Sequence, residues 1–265
     1  MLNGILERLG MFQDKVTGLA LSGGGAKGFS HIGVLMAFEK FGLKPDIISG
    51  VSAGSIAGVL YGAGLSPSDI IKCFSEASSL TNFTEFAIPK DGFLKLDKFG
   101  KLLEDWLPVR NLEELSIPIV VCATDLDHGK SVGWSKGEII PRVLASCSIP
   151  IVFQPQKING IHYVDGGVLH NLPAWAIRRY CNVLYGCNCS PLRKETSDKR
   201  TMLGIAYRSF HLMLKANTPQ DVRLCDYLIR VHEKDSIPTF DLTYLRKGVM
   251  LGYEAACKTL ENVLK

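Results

Sequence analysis

The chain has 265 residues, 46% of them hydrophobic and 21% charged, with a formal net charge of +4 and a pI near 8.6. A chain of this length buries about three quarters of its unfolded surface in one core, so a single domain over residues 1–265 is expected. So small and scattered a positive excess excludes the basic stripe of a nucleic-acid binder, and no apolar run reaches the ~20 residues of a membrane span.

Cys73, Cys122, Cys147, Cys181, Cys187, Cys189, Cys225 and Cys257 are scattered through apolar segments without the paired spacing of a zinc site, so buried thiols in a reducing compartment are expected, and no metal. The N-terminus lacks a secretory signal, which points to the cytoplasm. Leu2, Ile5, Leu6 and Leu9 share one helical face, which the short length and low charge assign to packing against the domain.

In chain order, residues 16–21 predict a buried strand, residues 23–28 a tight turn, and residues 29–41 a helix with Val34, Phe38 and Phe41 on one face. A second strand, 46–49, runs into a helix at 53–62, where Ile56, Val59 and Leu60 fall at helical spacing and Gly64 is the stop signal. A helix at 67–78 follows, then an irregular stretch, 80–94, with Phe83, Phe86 and Phe93 broken by Pro89 and Gly92, which is expected to plug a core edge. Residues 117–124 predict a strand paired with 131–134 across the turn at Asp127-His128-Gly129; a helix is expected at 138–147 and short strands at Val152-Phe153 and 161–164. Residues 183–186 predict another strand, the charged run 193–200 an exposed loop, Leu203, Tyr207, Phe210 and Leu214 a long helix, residues 227–231 a strand, and 242–263 a closing helix. Alternating strands and helices of this kind argue for an α/β layered fold with a largely parallel sheet.

Three stretches carry chemistry. Gly50-Val51-Ser52-Ala53-Gly54 has the G-x-S-x-G pattern of a nucleophile elbow, placed as that motif requires between a strand and a helix. Gly23-Gly24-Gly25-Ala26-Lys27-Gly28 also satisfies the dinucleotide fingerprint, but the next strand ends in Ser49-Gly50 where an acidic residue should hold a ribose, and Lys27 is followed by Gly28 where a phosphate-binding loop needs Ser or Thr. Such a turn instead offers backbone N–H groups to an oxyanion. Asp165, delivered by a strand into Asp165-Gly166-Gly167, is the candidate base for Ser52. A conventional triad would add His170, His211 or His232, whereas His31 is expected to brace the glycine turn.

Together these three stretches resemble the patatin-like phospholipase family. The resemblance covers residues 16–179 and includes Gly28-Phe29-Ser30-His31-Ile32-Gly33-Val34-Leu35 and the serine-containing block Ala145-Ser146-Cys147-Ser148-Ile149-Pro150. It implies a three-layer α/β fold with a largely parallel central sheet flanked by helices, completed by strands and helices from 180–265. It also implies a serine lipid acyl hydrolase with a Ser52–Asp165 dyad, an oxyanion hole in the turn led by Gly24 and Gly25, and no cofactor. The expected partner is a lipid or acyl-ester substrate, met at a membrane surface by peripheral contact. Ser22 departs from the family pattern, which commonly has Asp there, and this puts bracing of the loop in question. A noncatalytic lipid-binding module of the same fold is the reading from another class.

Overall fold

The computed structural model describes residues 15–77, 85–86, 94–190, 201–232 and 241–264. The apolar face at Leu2, Ile5, Leu6 and Leu9, the aromatic plug at Phe83 and Phe93, the side chain of Phe86 and the charged run 193–200 lie outside the described residues.

The strands are β1 (Thr17–Leu21), β2 (Ile47–Val51), β3 (Glu85–Phe86), β4 (Leu94–Lys95), β5 (Ile119–Asp125), β6 (Lys130–Trp134), β7 (Gln156–Ile158), β8 (Ile161–Asp165), β9 (Val183–Asn188) and β10 (Tyr227–Arg230). The helices are α1 (Phe29–Lys40), α2 (Ala53–Gly62), α3 (Pro67–Glu76), α4 (Asp97–Trp106), α5 (Ile139–Cys147), α6 (Met202–Val222) and α7 (Leu245–Val263). Eight strands form one sheet in the order β10-β9-β1-β2-β5-β8-β7, with β6 also on β5, while β3 and β4 make a separate antiparallel ribbon. From β10 to β5 every pairing is parallel, and β6, β7 and β8 add an antiparallel edge.

Side chains alternate between the two faces as the pleat requires. Leu19, Leu21, Ile48, Ile119, Val121, Tyr185 and Ile229 enter the larger core with residues of α1, α2, α4, α5 and α7 such as Phe38, Leu60, Leu103, Val143 and Leu260. Ala20, Ile47, Val51, Val120 and Leu184 face the other way, onto Leu172, Ala174, Ile177 and the end of α6 at Val222. The second covering layer is thus built from short 3-10 turns at Pro173–Ala176 and Arg178–Tyr180 together with α6.

The register of β5 positions everything that follows. A strand residue has one neighbour on each edge. Cys122 is paired with Val51 and Gly133, and Ala123 with Asp165 and Val132. Therefore β6 occupies one edge of β5, while β2 and β8 share the other, arriving from opposite directions and ending opposite consecutive residues. Ser52, the residue after β2, and Asp165, the last of β8, meet there.

Some expectations need correction. Val152-Phe153 is not a strand: Phe153 makes only an isolated bridge to Leu94, and the partner of β8 is Gln156–Ile158, joined to it by a turn in which Asn159 and Gly160 both take positive φ. The turn 23–28 closes as a 3-10 helix over Gly25–Gly28. Helix α4 is an addition; Gly100 lowers its intrinsic propensity, but it lets α4 approach α5, since a Cβ there would lie 3.2 Å from both Ile140 Cγ2 and Leu144 Cδ1. The cysteines are all free, yet Cys73, Cys181, Cys225 and Cys257 are only half-buried.

Candidate active site

Ser52 has φ 52° and ψ −124°, the strained left-handed backbone of a sharp turn, and is 6% exposed. Such a conformation costs about 1–3 kcal/mol and persists only where its surroundings hold it. Here its N–H donates to Ser146 Oγ (2.8 Å), which donates to the Cys122 carbonyl (2.6 Å), and its carbonyl accepts from Ser55 N–H (2.9 Å) and Ser55 Oγ (2.7 Å). Gly54 is required because a Cβ there would lie 2.3 Å from the Leu21 carbonyl oxygen, so only glycine lets α2 start against the end of β1.

Asp165 is 2% exposed. Its backbone N–H donates to the Ser148 carbonyl (2.8 Å) and its carbonyl accepts from Thr124 Oγ1 (3.1 Å). The block 145–150 therefore clamps both residues, Ser52 through the Ser146 hydroxyl and Asp165 through the Ser148 carbonyl. Burial pushes the Asp165 carboxyl up to about 7, against hydrogen bonds from the Gly167 N–H (2.8 Å to Oδ1) and the Ser52 side chain that favour the ionised form.

The glycine turn is anchored at its base. The His31 ring Nε2 donates to the Ser22 carbonyl (2.7 Å), the Cys189 N–H donates to Ser22 Oγ (3.1 Å), and the Gly23 N–H donates to the Asn171 carbonyl (3.1 Å). Ser22 thus braces the loop through β9. Of the six turn residues expected to offer N–H groups, Gly23 is engaged with Asn171 and Lys27 with the Gly24 carbonyl (3.3 Å). Gly24, Gly25 and Ala26 stand at the start of the 3-10 turn, where N–H groups have no acceptor within the helix, and Gly24 and Gly25 line a small cavity with Ser52 and Asp165. The turn approaches the elbow closely enough that a Cβ on Gly28 would fall 2.3 Å from Ala53 Cβ.

Two cavities flank Ser52. The first, of about 130 Å³, is walled by Phe29, Ile32, Ala57, Phe74, Phe99 and Phe153. Its aromatic wall is fixed by edge-to-face contacts of Phe29 with Phe74 (5.2 Å) and Phe74 with Trp106 (5.1 Å). The second, of about 10 Å³, is lined by the glycine turn, Ser52, Asp165, Asn171, Ser190 and His211 among others.

Of the histidines weighed for a triad, His170 Nδ1 is bonded to Asp221 (2.7 Å) and its ring lies against Trp175, while His232 is exposed. His211 on α6 does reach the second cavity, although its helical position marks it as a packing residue; burial, then Lys27 and Arg208, push it down to about 4. Among the described residues no group of His, Cys, Asp or Glu could hold a metal ion, and no helix is long and apolar enough to cross a membrane. Sequence reasoning missed Ser146 as a strut, Asn171, and Asn217, whose Nδ2 donates to the Gly167 carbonyl (2.8 Å). The Ala145–Pro150 block was the signal for the first.

The chain is similar in sequence and in fold to known proteins. The chain is 35% identical over 160 residues to an uncharacterized NTE family protein of Mycobacterium tuberculosis, covering 58% of this chain and 43% of that protein. It is 25% identical over 261 residues to lysophospholipase NTE1 of Candida glabrata, covering 95% of this chain and 14% of that protein. The chain thus spans less than half the length of these curated relatives. The crystal structure of VipD from Legionella pneumophila superposes over 94% of this chain and 67% of its own with a TM-score of 0.51 and 15% identity, a likeness of fold. The family profile for patatin-like phospholipase matches residues 19–177, and the chain belongs to the patatin-like phospholipase family.

Proposed function

We propose that the chain is a serine lipid acyl hydrolase of phospholipase A or lysophospholipase type, working through Ser52 and Asp165. The observation that carries this reading is the end-to-end meeting of β2 and β8 along β5, which sets a strained serine beside a buried carboxyl at the wall of an apolar cavity. Asp165 accepts the Ser52 hydroxyl proton as Oγ attacks the ester carbonyl. Negative charge then develops on an oxygen facing the N–H groups of Gly24, Gly25 and Ala26, each such donor being worth about 10²–10³ in rate. Collapse expels the alcohol, which takes the proton from Asp165, and the acyl group stays on Ser52 with its chain in the apolar cavity. The name of the Candida relative makes lysophospholipids the first substrates to assay.

The test is covalent. A fluorophosphonate probe is expected to modify Ser52 and no other residue; absence of labelling under conditions where the protein is folded rejects the hydrolase and leaves the lipid-binding module. A Ser–Asp–His arrangement has one observation in its favour, the access of His211 to the second cavity, but an imidazole held near 4 is a weak base.

Ala57 on α2 is buried in the wall of the apolar cavity. Ala57→Phe adds a ring there and is expected to lower kcat/KM for long-chain p-nitrophenyl esters by about tenfold or more while leaving the butyrate ester within about threefold. Equal losses for all chain lengths count against the acyl assignment.

Met202, Ile205, Leu212 and Met213 expose large apolar side chains on α6, Met202 at 88%, while Phe210 and Leu214 on the same helix are buried at the second cavity. This supports peripheral contact with a lipid surface. Ile205→Glu with Leu212→Glu is expected to cut hydrolysis of phospholipid vesicles by about tenfold and to leave a soluble ester within about twofold; unchanged vesicle activity removes α6 from the contact.

A further inference from the structure

Asn171 is 1% exposed, and its side-chain Nδ2 and Oδ1 are both without a hydrogen-bond partner. A buried amide in that state is destabilising, so a position that keeps one calls for a reason. Its backbone is fixed on both sides: the N–H donates to Asn217 Oδ1 (3.1 Å) and the carbonyl accepts from Gly23 N–H (3.1 Å). Asn217 is itself tied to the Gly167 and Val168 carbonyls (2.8 and 3.2 Å).

This frame aims the carboxamide between the two turns that bracket Ser52 and Asp165. A carbon attached to Gly23 would lie 2.7 Å from Asn171 Oδ1 and 3.4 Å from Ser52 Cβ. One attached to Gly167 would lie 3.2 Å from Asn171 Oδ1 and 3.0 Å from Asp165 Oδ1. Both neighbours are glycine, so the amide opens onto the second cavity. That cavity has Ile149, Phe210 and Leu214 in its wall but gathers Asp165, Asn171, Ser190 and His211 on its polar side, where the first is aromatic and aliphatic, and Ser52 belongs to both.

Resting on the serine-hydrolase reading, we propose that Asn171 holds the water that deacylates Ser52. With the acyl chain in the apolar cavity, the ester carbonyl on Ser52 is open to attack from the polar side. Asn171 Oδ1 accepts one hydrogen of the water and Asp165 removes the other proton as the oxygen bonds to the carbonyl carbon. When the tetrahedral intermediate collapses, the carbon–Oγ bond breaks, the proton on Asp165 passes to Ser52 Oγ, and a free carboxylic acid leaves. Water is the only co-reactant.

Asn171→Leu keeps the branching at Cγ and removes both polar atoms. With p-nitrophenyl butyrate it is expected to release the first equivalent of nitrophenol within about threefold of the wild-type rate, and then to turn over about thirtyfold or more slowly. Intact-protein mass spectrometry should find the butyryl adduct on Ser52 accumulating in the variant relative to wild type. A purely structural role would slow both steps together. Parallel losses in acylation and turnover, or wild-type turnover with no rise in adduct, overturn the proposal. If thermal melting shows that the leucine variant does not fold, Asn171→Ala carries the same readouts. Failure of fluorophosphonate to label wild-type Ser52 rejects the hydrolase reading itself, whereas a labelled enzyme whose Asn171 variants deacylate normally rejects only the water site.

Discussion

Ser52→Ala is expected to abolish hydrolysis of lysophospholipids and p-nitrophenyl esters, with a loss of at least about 10⁴-fold in kcat, because no other hydroxyl can take its place in an acyl-enzyme mechanism. The neighbouring Ser146 and Ser55 hydroxyls are both committed as donors to backbone carbonyls, at 2.6 and 2.7 Å. The variant should fold. The strained backbone at φ 52° is held by hydrogen bonds to the Ser52 N–H and carbonyl, and alanine keeps both groups, so stability should stay within about 1 kcal/mol of wild type. Circular dichroism melts paired with ester assays check both halves. More than about a tenth of wild-type activity in a folded Ser52→Ala protein rejects Ser52 as the nucleophile.

The parts of this site that the sequence made legible are those where one residue type is nearly compulsory. A serine elbow needs small neighbours, and a turn that presents N–H groups needs glycine, so residues 23–28, 50–54 and 165–167 stand out against the apolar strands that deliver them. Strands β1, β2 and β5 are equally visible as near-continuous apolar runs because both sheet faces are buried. What joins the three stretches is a register: Leu21 opposite Gly50 between β1 and β2, and Val51 opposite Cys122 and Asp165 opposite Ala123 on one edge of β5. Nothing local to residues 46–52 or 161–165 encodes that, and only the family resemblance brought it forward. Which amides of the turn stay free was also beyond local reasoning, since Gly23 loses its N–H to the carbonyl of Asn171, far away in the chain. Asn171 and Asn217 belong to no short motif, and the block that contains Ser146 does not by itself reveal a strut; their roles arise from where tertiary packing leaves or fills a hydrogen-bonding site.

Asp165→Asn is expected to be as inactive as a dyad requires, down about 10³-fold or more, and yet more stable than wild type at alkaline pH. Burial raises the Asp165 carboxyl from its ordinary 3.8 to about 7. Between those values the folded protein binds a proton that the unfolded chain does not, so this group's contribution to stability is complete below about pH 4 and is lost as the pH rises through about 7. The full loss, at 1.36 kcal/mol per unit, is on the order of 4 kcal/mol. Asparagine is neutral throughout, so its melting temperature should exceed that of wild type at pH 8 and converge with it near pH 4. Catalysis depends on the same ionisation with the opposite consequence: a base must be deprotonated to accept the Ser52 proton, so wild-type kcat/KM should climb with pH and level off above about 7. A folded Asp165→Asn protein that keeps activity within about tenfold of wild type, alongside an inactive His211→Gln, would move the base to His211. An inactive variant that also melts higher at pH 8 than its parent would identify Asp165 as a carboxylate kept in an apolar setting at a cost to the fold, which is the mark of a group retained for its chemistry.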